Sequence, residues 1–455
     1  MKPRVPLLRD GGTGRYWLHT LGCPKNQVDS DKLRGLLSAD GFAPADTPGD
    51  ADLVVVNTCA FIEAARQESI EAVLELSAAR RPGAQLVVTG CLAERYADEL
   101  AEALPEVDRV AGFGQPLADP DASPVAVSFG RRPARTTAGG FDLLELPRPA
   151  TGAPWSYVKV AEGCDRICGF CAIPSFRGRQ RSRSFDDVLA EVAVLAEGGA
   201  REVVLVAQDL ASYGRDRGAR GRRHDAGTPI VELTRAVAEL VARTRLLYLY
   251  PSGLTDELVD AVLSTGVPYF DLSLQHVSRP LLTGMRRWGD GGRFLRRIDE
   301  IRRREPAATF RSSFILGYPG ETEEDHDQLL AFLAEAELDW AGFFPFSPED
   351  GTHAVGLDDQ VPTNLALERL RECTELQDAV TARRRDAMVG RGLEVLVDRA
   401  GVARSVHEAP EIDGVVKVPA ELPAGGFVEV VVTEALGPDL VAVPVGAPVP
   451  ARTPS

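Results

Sequence analysis

Short apolar runs alternate with longer amphipathic segments through the first hundred residues of the chain. The apolar runs are YWLHT (16–20), ADLVVVNTC (51–59) and GAQLVVTGC (83–91), and a segment with helical periodicity follows each of them. Runs of this length that are rich in β-branched residues are typical of buried strands. The alternation therefore predicts an open parallel α/β sheet in the N-terminal part of the chain.

The same alternation resumes at Trp155 and continues to about residue 346. Helical segments separate six apolar runs there, namely WSYVKVAEG, REVVLVAQD, RLLYLYP, YFDLSLQ, TFRSSFILG and WAGFFPF. Repeated strand–helix units of this kind form parallel sheets that curve into barrels. We therefore predict a (β/α) barrel, open or closed, in the centre of the chain.

Two stretches depart from this alternation. Residues 115–149 are rich in Pro, Gly, Ala and Thr and lack periodicity, which predicts a linker or a loosely packed connection. After Arg391 the chain changes to short β runs separated by Gly and Pro, which predicts a small antiparallel β-barrel. The predicted domains are residues 13–130, 150–382 and 383–455.

The net charge of the chain limits the kind of macromolecule that it can be expected to bind. The chain has 455 residues and a net charge of −16, which argues against a protein held on nucleic acid by phosphate attraction and favours a basic protein partner. No apolar run approaches the ~20 residues of a membrane span, and the start MKPRVPLLRDGG lacks the apolar core of a signal peptide. We expect a cytoplasmic protein without membrane contact.

Seven cysteines in such a protein are better explained as metal or redox ligands than as disulfides. Cys23, Cys59 and Cys91 each follow a predicted strand, and parallel strands place their carboxyl ends along one edge of a sheet. Any one of them could instead be a small buried core residue, but three at equivalent strand ends are expected to converge. Cys373 lies in a helical pattern and is predicted to be a packing residue.

The segment EGCDRICGFCAIP places Cys164, Cys168 and Cys171 in the spacing CxxxCxxC directly after a predicted strand. Closely spaced cysteines also form structural zinc sites, but such a site needs four ligands and only three are near in sequence. Three thiolates on a four-iron cluster leave one iron open to bind a substrate. An iron–sulfur centre and a zinc site therefore remain the alternatives at this point.

This motif, with an aromatic residue before its last cysteine, resembles the signature of the radical S-adenosylmethionine superfamily. The resemblance implies a partial (β/α) barrel whose open iron binds S-adenosylmethionine. The segments LGCPKNQVDS, ADLVVVNTCAFI and VVTGCLAERY resemble the N-terminal domain of the methylthiotransferases. Membership of that family implies that Cys23, Cys59 and Cys91 hold a second cluster, and that the C-terminal segment is a TRAM-like barrel that docks the substrate.

Within this family, the chain resembles the branch that modifies an aspartate of small-subunit ribosomal protein twelve. Pro24 and Lys25 follow the first Gly-Cys, where the tRNA-modifying branch typically has Gln-Met, and the segments CAIPSFRGRQRSRS and EAPEIDGVV also match the ribosomal branch. From Met388 onward there are five basic and nine acidic residues, a net charge of 5 − 9 = −4, whereas a tRNA-binding module should be basic. The alternatives are a tRNA adenosine methylthiotransferase and an iron–sulfur electron-transfer or scaffold protein.

The resemblance also implies the cofactors and the course of the reaction. Two 4Fe-4S clusters and S-adenosylmethionine are expected, with the cluster of the CxxxCxxC motif giving one electron to S-adenosylmethionine. The radical so formed removes a hydrogen atom from the aspartate β-carbon, which then takes a methylthio group carried at the second cluster. Expected partners are ribosomal protein twelve, nucleic acid only through the ribosome, and an electron donor such as flavodoxin or ferredoxin. The chain itself is expected to be a monomer.

Further site residues are predicted from their positions in the pattern. Polar side chains at the ends of barrel strands, and residues beside the cysteine motif, are candidates for binding S-adenosylmethionine: Phe170, Gln208, Gln275, Arg311 and Gly317. His276 is predicted to be a hydrogen-bonded core histidine. An acidic run flanked by Pro410 and Gly414 is predicted to project into solvent and to dock the basic substrate: Glu408, Glu411 and Asp413.

Overall fold

The computed structural model describes residues 14–117, 140–149, 152–220 and 228–447. Backbone contacts group these residues into two compact units. The first unit comprises the described residues up to 149 together with Ala161–Asp165 and Cys171–Arg183. The second comprises residues 152–160, Arg166–Phe170 and the described residues from 184 onward.

A five-stranded parallel sheet of order β2-β1-β3-β4-β5 forms the centre of the first unit. Its strands are β1 (Arg15–Thr20), β2 (Ala43–Pro44), β3 (Leu53–Thr58), β4 (Gln85–Gly90) and β5 (Arg109–Val110). The helices are α1 (Pro24–Ala39), α2 (Glu63–Ala79), α3 (Cys91–Arg95) and α4 (Ala97–Ala103). Successive residues of β3 and β4 alternate between two apolar cores, one on each face of the sheet. The predicted parallel α/β sheet is confirmed.

Residues 140–149 pack into the first unit. Leu144 and Leu146 are buried, the Lys32 ammonium donates to the Leu144 carbonyl, and the fully buried Arg148 pairs with Asp31 at 3.0 Å. The prediction of a loosely packed connection is therefore wrong for these ten residues, because it ignored their leucines and their buried ion pair. Residues 118–139 of the same predicted linker lie outside the described residues.

The chain continues with β6 (Trp155–Lys159), which belongs to the second unit. The following antiparallel pair, β7 (Ala161–Glu162) and β8 (Arg181–Ser182), belongs to the first unit. The short helix α5 (Ile173–Arg177) lies between these two strands in sequence. The CxxxCxxC segment is therefore part of the connection that leads from β7 to α5.

Among the described residues, six parallel strands form the partial barrel of the second unit. After β6 come β9 (Glu202–Val206), β10 (Arg243–Leu246), β11 (Tyr269–Gln275), β12 (Thr309–Leu316) and β13 (Trp340–Pro345). They make two sheets of order β10-β9-β6 and β11-β12-β13, and a single parallel bridge between Leu249 and Leu272 connects them. The helices are α6 (Phe185–Glu197), α7 (Pro229–Ala238), α8 (Asp256–Ser264), α9 (Arg279–Gly284), α10 (Gly291–Arg304), α11 (Glu323–Ala336) and α12 (Thr363–Asp386).

This architecture confirms the predicted central barrel and shows that it is only partial. The predicted strand that differs most in its bounds is the third, because β10 ends at Leu246 and does not continue through the run RLLYLYP. The reason is local: Tyr248 adopts a positive φ of 65°, which interrupts extended backbone. Among the described residues, no helix is long and apolar enough to cross a lipid bilayer.

The C-terminal strands close into a small barrel of order β14-β15-β16-β18-β17. They are β14 (Gly392–Arg399), β15 (Val402–Arg404), β16 (Val416–Lys417), β17 (Phe427–Leu436) and β18 (Asp439–Pro444). All neighbouring pairs are antiparallel except β16 and β18, which are parallel. Buried valines from β14, β16 and β17 fill its interior, which confirms the predicted small β-barrel.

The acidic run beside this barrel is not the exposed patch that its sequence predicts. Glu408 is fully buried, where it pairs with Arg385 of α12 at 2.6 Å and accepts a hydrogen bond from the Ser405 backbone N–H at 2.7 Å. The Asp413 side chain is also fully buried and pairs with Arg311 at 2.9 Å. The prediction that these two carboxylates project into solvent is wrong, because each pairs with an arginine from another part of the second unit; Glu411 is exposed.

We expect acid to weaken the fold through Glu408. Burial raises the pKa of this carboxyl, but Arg385 and the Ser405 donors outweigh burial and hold it at about 2. The stabilisation is therefore complete above the unfolded-chain pKa of ~4.3 and is lost as the pH falls from there towards 2. Glu408→Gln should lower the unfolding free energy at pH 5 by about 3 kcal/mol, since it leaves a buried arginine unpaired.

Denaturant titrations at pH 5 and pH 3 check this expectation. The wild-type protein should lose more stability between these two pH values than the Glu408→Gln variant, which lacks the titrating group. Glu411→Gln is the matched control, because Glu411 is exposed and should behave as wild type. An equal loss in wild type and Glu408→Gln would contradict the assignment.

Candidate functional site

Three cysteines of the first unit occupy equivalent places at the carboxyl edge of its sheet. Cys23 lies in the turn after β1, directly before α1. Cys59 directly follows β3, and Cys91, directly after β4, is the first residue of α3. Because β1, β3 and β4 are neighbours in the sheet, the three thiols share one edge, as their spacing in the sequence predicts.

Two glycines allow the strand ends to approach one another. Gly22 has a φ of +91°, and a Cβ at this position would lie 2.8 Å from the Cβ of Cys59 and 3.0 Å from its Sγ. Gly90 has a φ of +94°, and a Cβ there would lie 2.3 Å from Oδ1 of Asn57. Any larger residue at either position would push the cysteine-bearing turns apart.

Two buried asparagines hold the backbone of these turns. The Asn26 amide donates to the carbonyls of Leu21 and Thr58, both at 3.0 Å. The Asn57 amide donates to the Asn26 carbonyl at 3.0 Å and to Ser30 Oγ at 2.9 Å. These bonds tie the start of α1 to the end of β3 and so fix Cys23 relative to Cys59.

A buried arginine from α5 reaches the same edge. Arg177 Nη2 lies 3.0 Å from the Sγ of Cys91 and donates to Asn26 Oδ1 at 2.6 Å. Its Nη1 pairs with Glu162 at 2.8 Å and with Asp29 at 3.3 Å. The guanidinium is thus held by two carboxylates while one of its N–H groups points at a cysteine sulfur.

Burial and neighbouring charges shift the pKa values of the three thiols. Burial raises the pKa of Cys59 to about 12, and the neighbouring Cys23 and Cys91 add to the shift. Burial also raises the pKa of Cys91, against the opposing effect of Arg177. For Cys23 burial acts in the same direction, but Lys25 and Arg177 outweigh it and the net pKa lies below its usual value.

Such an arrangement fits a bound iron–sulfur cluster. Three packed thiols cannot all be thiolates unless cations compensate them, and cluster irons supply that charge. Within the described ranges, no three His, Cys, Asp or Glu side chains are arranged to hold a single metal ion. A cluster binds its thiolates through different irons, so its ligands stand further apart than those of one ion.

Strong local constraints also fix the CxxxCxxC segment. Gly163 has a φ of +73°, and a Cβ there would lie 2.2 Å from the carbonyl oxygen of Arg179, so only glycine fits directly before Cys164. The Cys164 backbone N–H donates to the Gly178 carbonyl at 3.1 Å. All three cysteines of the motif are partly exposed, as a centre that must be reached by a small-molecule ligand requires.

One arginine of the second unit contacts Cys168, and a second arginine packs on the same aromatic ring. Arg287 Nη1 donates to the Sγ of Cys168 at 3.3 Å, and its guanidinium lies 4.2 Å from the centre of the Tyr250 ring. Arg166 lies 3.8 Å from the same ring centre and pairs with the buried Asp209 at 2.7 Å. The ring of Tyr250 therefore contacts two cations.

The residues predicted to bind S-adenosylmethionine have different surroundings. Gln208 lies two residues beyond β9 and Gln275 ends β11 with a strained φ of 73°, so both are at the carboxyl edge of the partial barrel. Phe170 is half-buried beside Gly169, whose N–H donates to the Met285 carbonyl at 2.8 Å. Gly317 follows β12, but its N–H donates to the carboxylate of Glu321.

Arg311 is not placed to bind a ligand carboxylate at that edge. It is the third residue of β12, towards the amino end of the strand, and its guanidinium pairs with Asp413 at 2.9 Å. The interpretation of Arg311 as a cofactor ligand is therefore wrong, since the chain itself supplies its carboxylate. The predicted packing roles are confirmed: His276 and Cys373 are fully buried, and His276 accepts a hydrogen bond from Ser278 N–H.

Sequence reasoning did not find Arg177 or Arg287. Each contacts a cysteine that lies far away in the chain, 86 residues for Arg177 and Cys91 and 119 residues for Arg287 and Cys168. One signal was present for Arg177, because it lies only six residues after Cys171. No comparable signal marks Arg287 among the other arginines of its segment.

Three family models match successive parts of the chain. Residues 15–112 match a model described as an uncharacterized protein family, UPF0004. Residues 158–333 match the radical SAM superfamily, and residues 389–445 match the TRAM domain.

Curated relatives match nearly the whole length. A protein of Moorella thermoacetica named ribosomal protein uS12 methylthiotransferase RimO is 42% identical over 91% of this chain and 95% of its own. A protein of Streptomyces coelicolor with the same name is 39% identical over 95% of this chain and 97% of its own. Among solved structures, the radical S-adenosylmethionine methyltransferase TsrM from Kitasatospora setae has a TM-score of 0.49 and 16% identity, over 75% of this chain and 77% of that one.

Proposed function

The chain belongs to the ribosomal protein uS12 methylthiotransferase family, and from this premise we propose that it transfers a methylthio group to the β-carbon of an aspartate in uS12. It is a radical S-adenosylmethionine enzyme. Three family models match successive parts of the chain, and the last of these parts is the TRAM barrel. The observation that carries the proposal is the meeting of Cys23, Cys59 and Cys91 at one sheet edge. An enzyme that only cleaved S-adenosylmethionine would have no use for this second set of thiols.

The cofactors are two 4Fe-4S clusters and S-adenosylmethionine. We propose Cys164, Cys168 and Cys171 as ligands of one cluster and Cys23, Cys59 and Cys91 as ligands of the other. When bound, these groups supply the hydrogen-atom abstraction and the sulfur that an unactivated carbon requires, which protein side chains cannot provide. Phe170, Gln208, Gln275 and Gly317 stay predicted contacts of S-adenosylmethionine.

The chain's own residues orient the cluster ligands. Gly22, Gly90 and the amides of Asn26 and Asn57 hold the three strand-end cysteines at one edge. Arg177 and Arg287 donate to Cys91 and Cys168 respectively. Hydrogen bonds to a ligand sulfur stabilise its thiolate character and thereby set the reduction potential of the centre.

The surface charge of the TRAM barrel supports a basic protein substrate over tRNA. Between residues 388 and 447 the exposed acidic side chains are Glu394, Glu411, Glu421, Glu429 and Glu434, and the exposed basic ones are Arg391, Arg399 and Lys417. The excess of exposed acidic over basic side chains is modest, since Glu408 and Asp413 are buried. A nucleic-acid-binding module would instead have an excess of basic side chains. We propose that the enzyme works as a monomer in the cytoplasm with flavodoxin or ferredoxin as electron donor.

A reconstituted reaction tests this function. Anaerobically reconstituted enzyme, S-adenosylmethionine, a sulfide source and dithionite are incubated with purified uS12, and peptide mass spectrometry follows the substrate. We expect one aspartate to gain a methylthio group in place of a β-hydrogen. Modification of an adenosine in bulk tRNA, with uS12 unchanged, would instead assign the chain to the tRNA branch.

A further inference from the structure

One segment of the second unit is strongly basic on an otherwise acidic protein. Residues 279–304 contain nine arginines and three acidic residues, whereas the whole chain has a net charge of −16. Four of its exposed residues define what we call the arginine surface: Arg286, Trp288, Arg293 and Arg296. Trp288 is 43% exposed, although large aromatic residues are usually covered.

The arginine surface borders an open depression in the protein. Trp288, Arg293 and Arg296 line this depression, which has a volume of about 460 Å³. The Arg293 guanidinium lies 5.6 Å from the centre of the Trp288 ring. Tryptophan and arginine side chains together in a concave site are the residue types that dominate binding energy at protein interfaces.

A short series of contacts leads from this surface to Cys168. Trp288 follows Arg287 directly in the chain, and its backbone N–H lies 3.3 Å from the Tyr250 hydroxyl. Arg287 packs on the Tyr250 ring and donates to the Sγ of Cys168 at 3.3 Å. Every residue of this series belongs to the second unit. Trp288 is therefore the neighbour in the chain of the residue that contacts the cysteine sulfur, and its backbone shares Tyr250 with that residue.

We propose that the arginine surface is the docking site of an acidic one-electron carrier protein that reduces the centre held by Cys168. The proposal rests on the proposed function, because only a redox centre at Cys168 needs such a carrier. The carrier is oxidised by one electron and the centre is reduced by one electron; no bond forms or breaks and no proton moves. An acidic carrier is repelled by the rest of this acidic chain and attracted to this surface, which steers its approach.

An RNA segment is the competing occupant, since exposed aromatic and arginine side chains also bind single-stranded bases. The contacts to Cys168 favour the electron carrier, because RNA binding gives no reason for the surface to adjoin a cluster ligand. The net charge of −16 also disfavours binding of a long polyanion more than binding of a compact acidic protein, because RNA carries a charge on every nucleotide.

The test is a charge reversal with a matched control on the same helix. The variant Arg293→Glu/Arg296→Glu changes the arginine surface, and Arg303→Glu/Arg304→Glu makes the same charge change at exposed positions near the end of α10. Reconstituted holoenzyme is titrated with oxidised flavodoxin to obtain a dissociation constant. The rate at which reduced flavodoxin bleaches the cluster absorption is then measured at several salt concentrations, with dithionite as the small-molecule reductant.

We expect the surface variant to weaken flavodoxin binding and slow reduction by about tenfold or more, with most of the salt dependence lost. The control variant should change flavodoxin binding and the rate of reduction by much less. Reduction by dithionite should be the same in the wild type and in both charge-reversal variants. Trp288→Ala should weaken binding without altering the salt dependence. Equal losses in the two charge-reversal variants, or loss of binding to a short single-stranded RNA with flavodoxin binding retained, would overturn the proposal.

The outcome is separable from that of the proposed function. Dithionite-driven modification of uS12 by the wild-type enzyme does not involve the arginine surface. If that reaction fails, the proposed function fails whatever the flavodoxin data show. If it succeeds while the surface variant binds and accepts electrons from flavodoxin like wild type, only the docking proposal is refuted.

Discussion

Replacing Cys23, Cys59 and Cys91 together by alanine is expected to abolish methylthio transfer while leaving the reductive cleavage of S-adenosylmethionine intact. The three thiols share one sheet edge in the first unit, and their close approach fits one cluster. With these ligands removed, the reconstituted protein should keep about half of its iron, because the CxxxCxxC motif still binds a cluster. Iron content, and the yield of 5′-deoxyadenosine from S-adenosylmethionine under dithionite, measure the two effects.

The complementary triple variant at Cys164, Cys168 and Cys171 should also keep about half of the iron, but it should lose cleavage altogether. Cys373→Ala is the matched single-cysteine control, because Cys373 is buried in α12 and its thiol pKa is raised to about 12 by burial. It should change neither iron content nor cleavage. Full iron content in the N-terminal triple variant would contradict a second cluster at Cys23, Cys59 and Cys91.

The sequence predicted this set of cysteines because the relevant information is local. Each of the three lies directly after an apolar, β-branched run, and parallel pairing of such runs leaves little choice about which edge they share. The six barrel strands were predictable for the same reason, and the run that contains Tyr248 is the one that overlaps its strand least. Here a positive φ ends the strand, which hydrophobic pattern does not encode.

Ion pairs between distant segments could not be predicted in this way. The run HEAPEIDG has the composition of an exposed turn, yet Glu408 pairs with Arg385 of α12 and Asp413 pairs with Arg311 of β12. Nothing in the run reveals that each of these carboxylates pairs with an arginine from a distant segment. The chain contains many arginines, so their number alone does not show which of them are buried and which form the arginine surface.

Arg177 is the most consequential of the residues that sequence reasoning missed. Its partners Asn26 and Asp29 are 151 and 148 residues away in the chain, so that only the folded first unit brings them together. Asp29 and Glu162 neutralise the buried guanidinium, whose side chain is 3% exposed. A cation held this firmly beside Cys91 is well suited to tune a centre bound there.

Arg177→Lys is therefore expected to make the cluster at Cys23, Cys59 and Cys91 easier to lose and harder to reduce. Lysine retains the positive charge but cannot direct planar N–H groups at Asn26, the two carboxylates and the Cys91 sulfur together. Loss of a hydrogen bond to a ligand sulfur favours the oxidised centre, so its reduction potential should fall by ~60 mV, a tenfold change in a one-electron equilibrium. Loss of such a supporting contact typically lowers metal affinity by about 10–100-fold, which a chelator challenge measures as faster iron release.

Redox titration followed by electron paramagnetic resonance reports the potential, and it distinguishes tuning of the cluster from a general loss of stability. The variant Cys164→Ala/Cys168→Ala/Cys171→Ala provides the background for this titration, so that the signal of the other cluster does not interfere. Arg179→Gln is the matched control, because its side chain is 91% exposed and pairs only with Asp165 among the described ion pairs. An unchanged potential and unchanged iron release in Arg177→Lys would mean that Arg177 only holds the fold together, since a purely structural arginine has no reason to shift the potential of a centre that still forms.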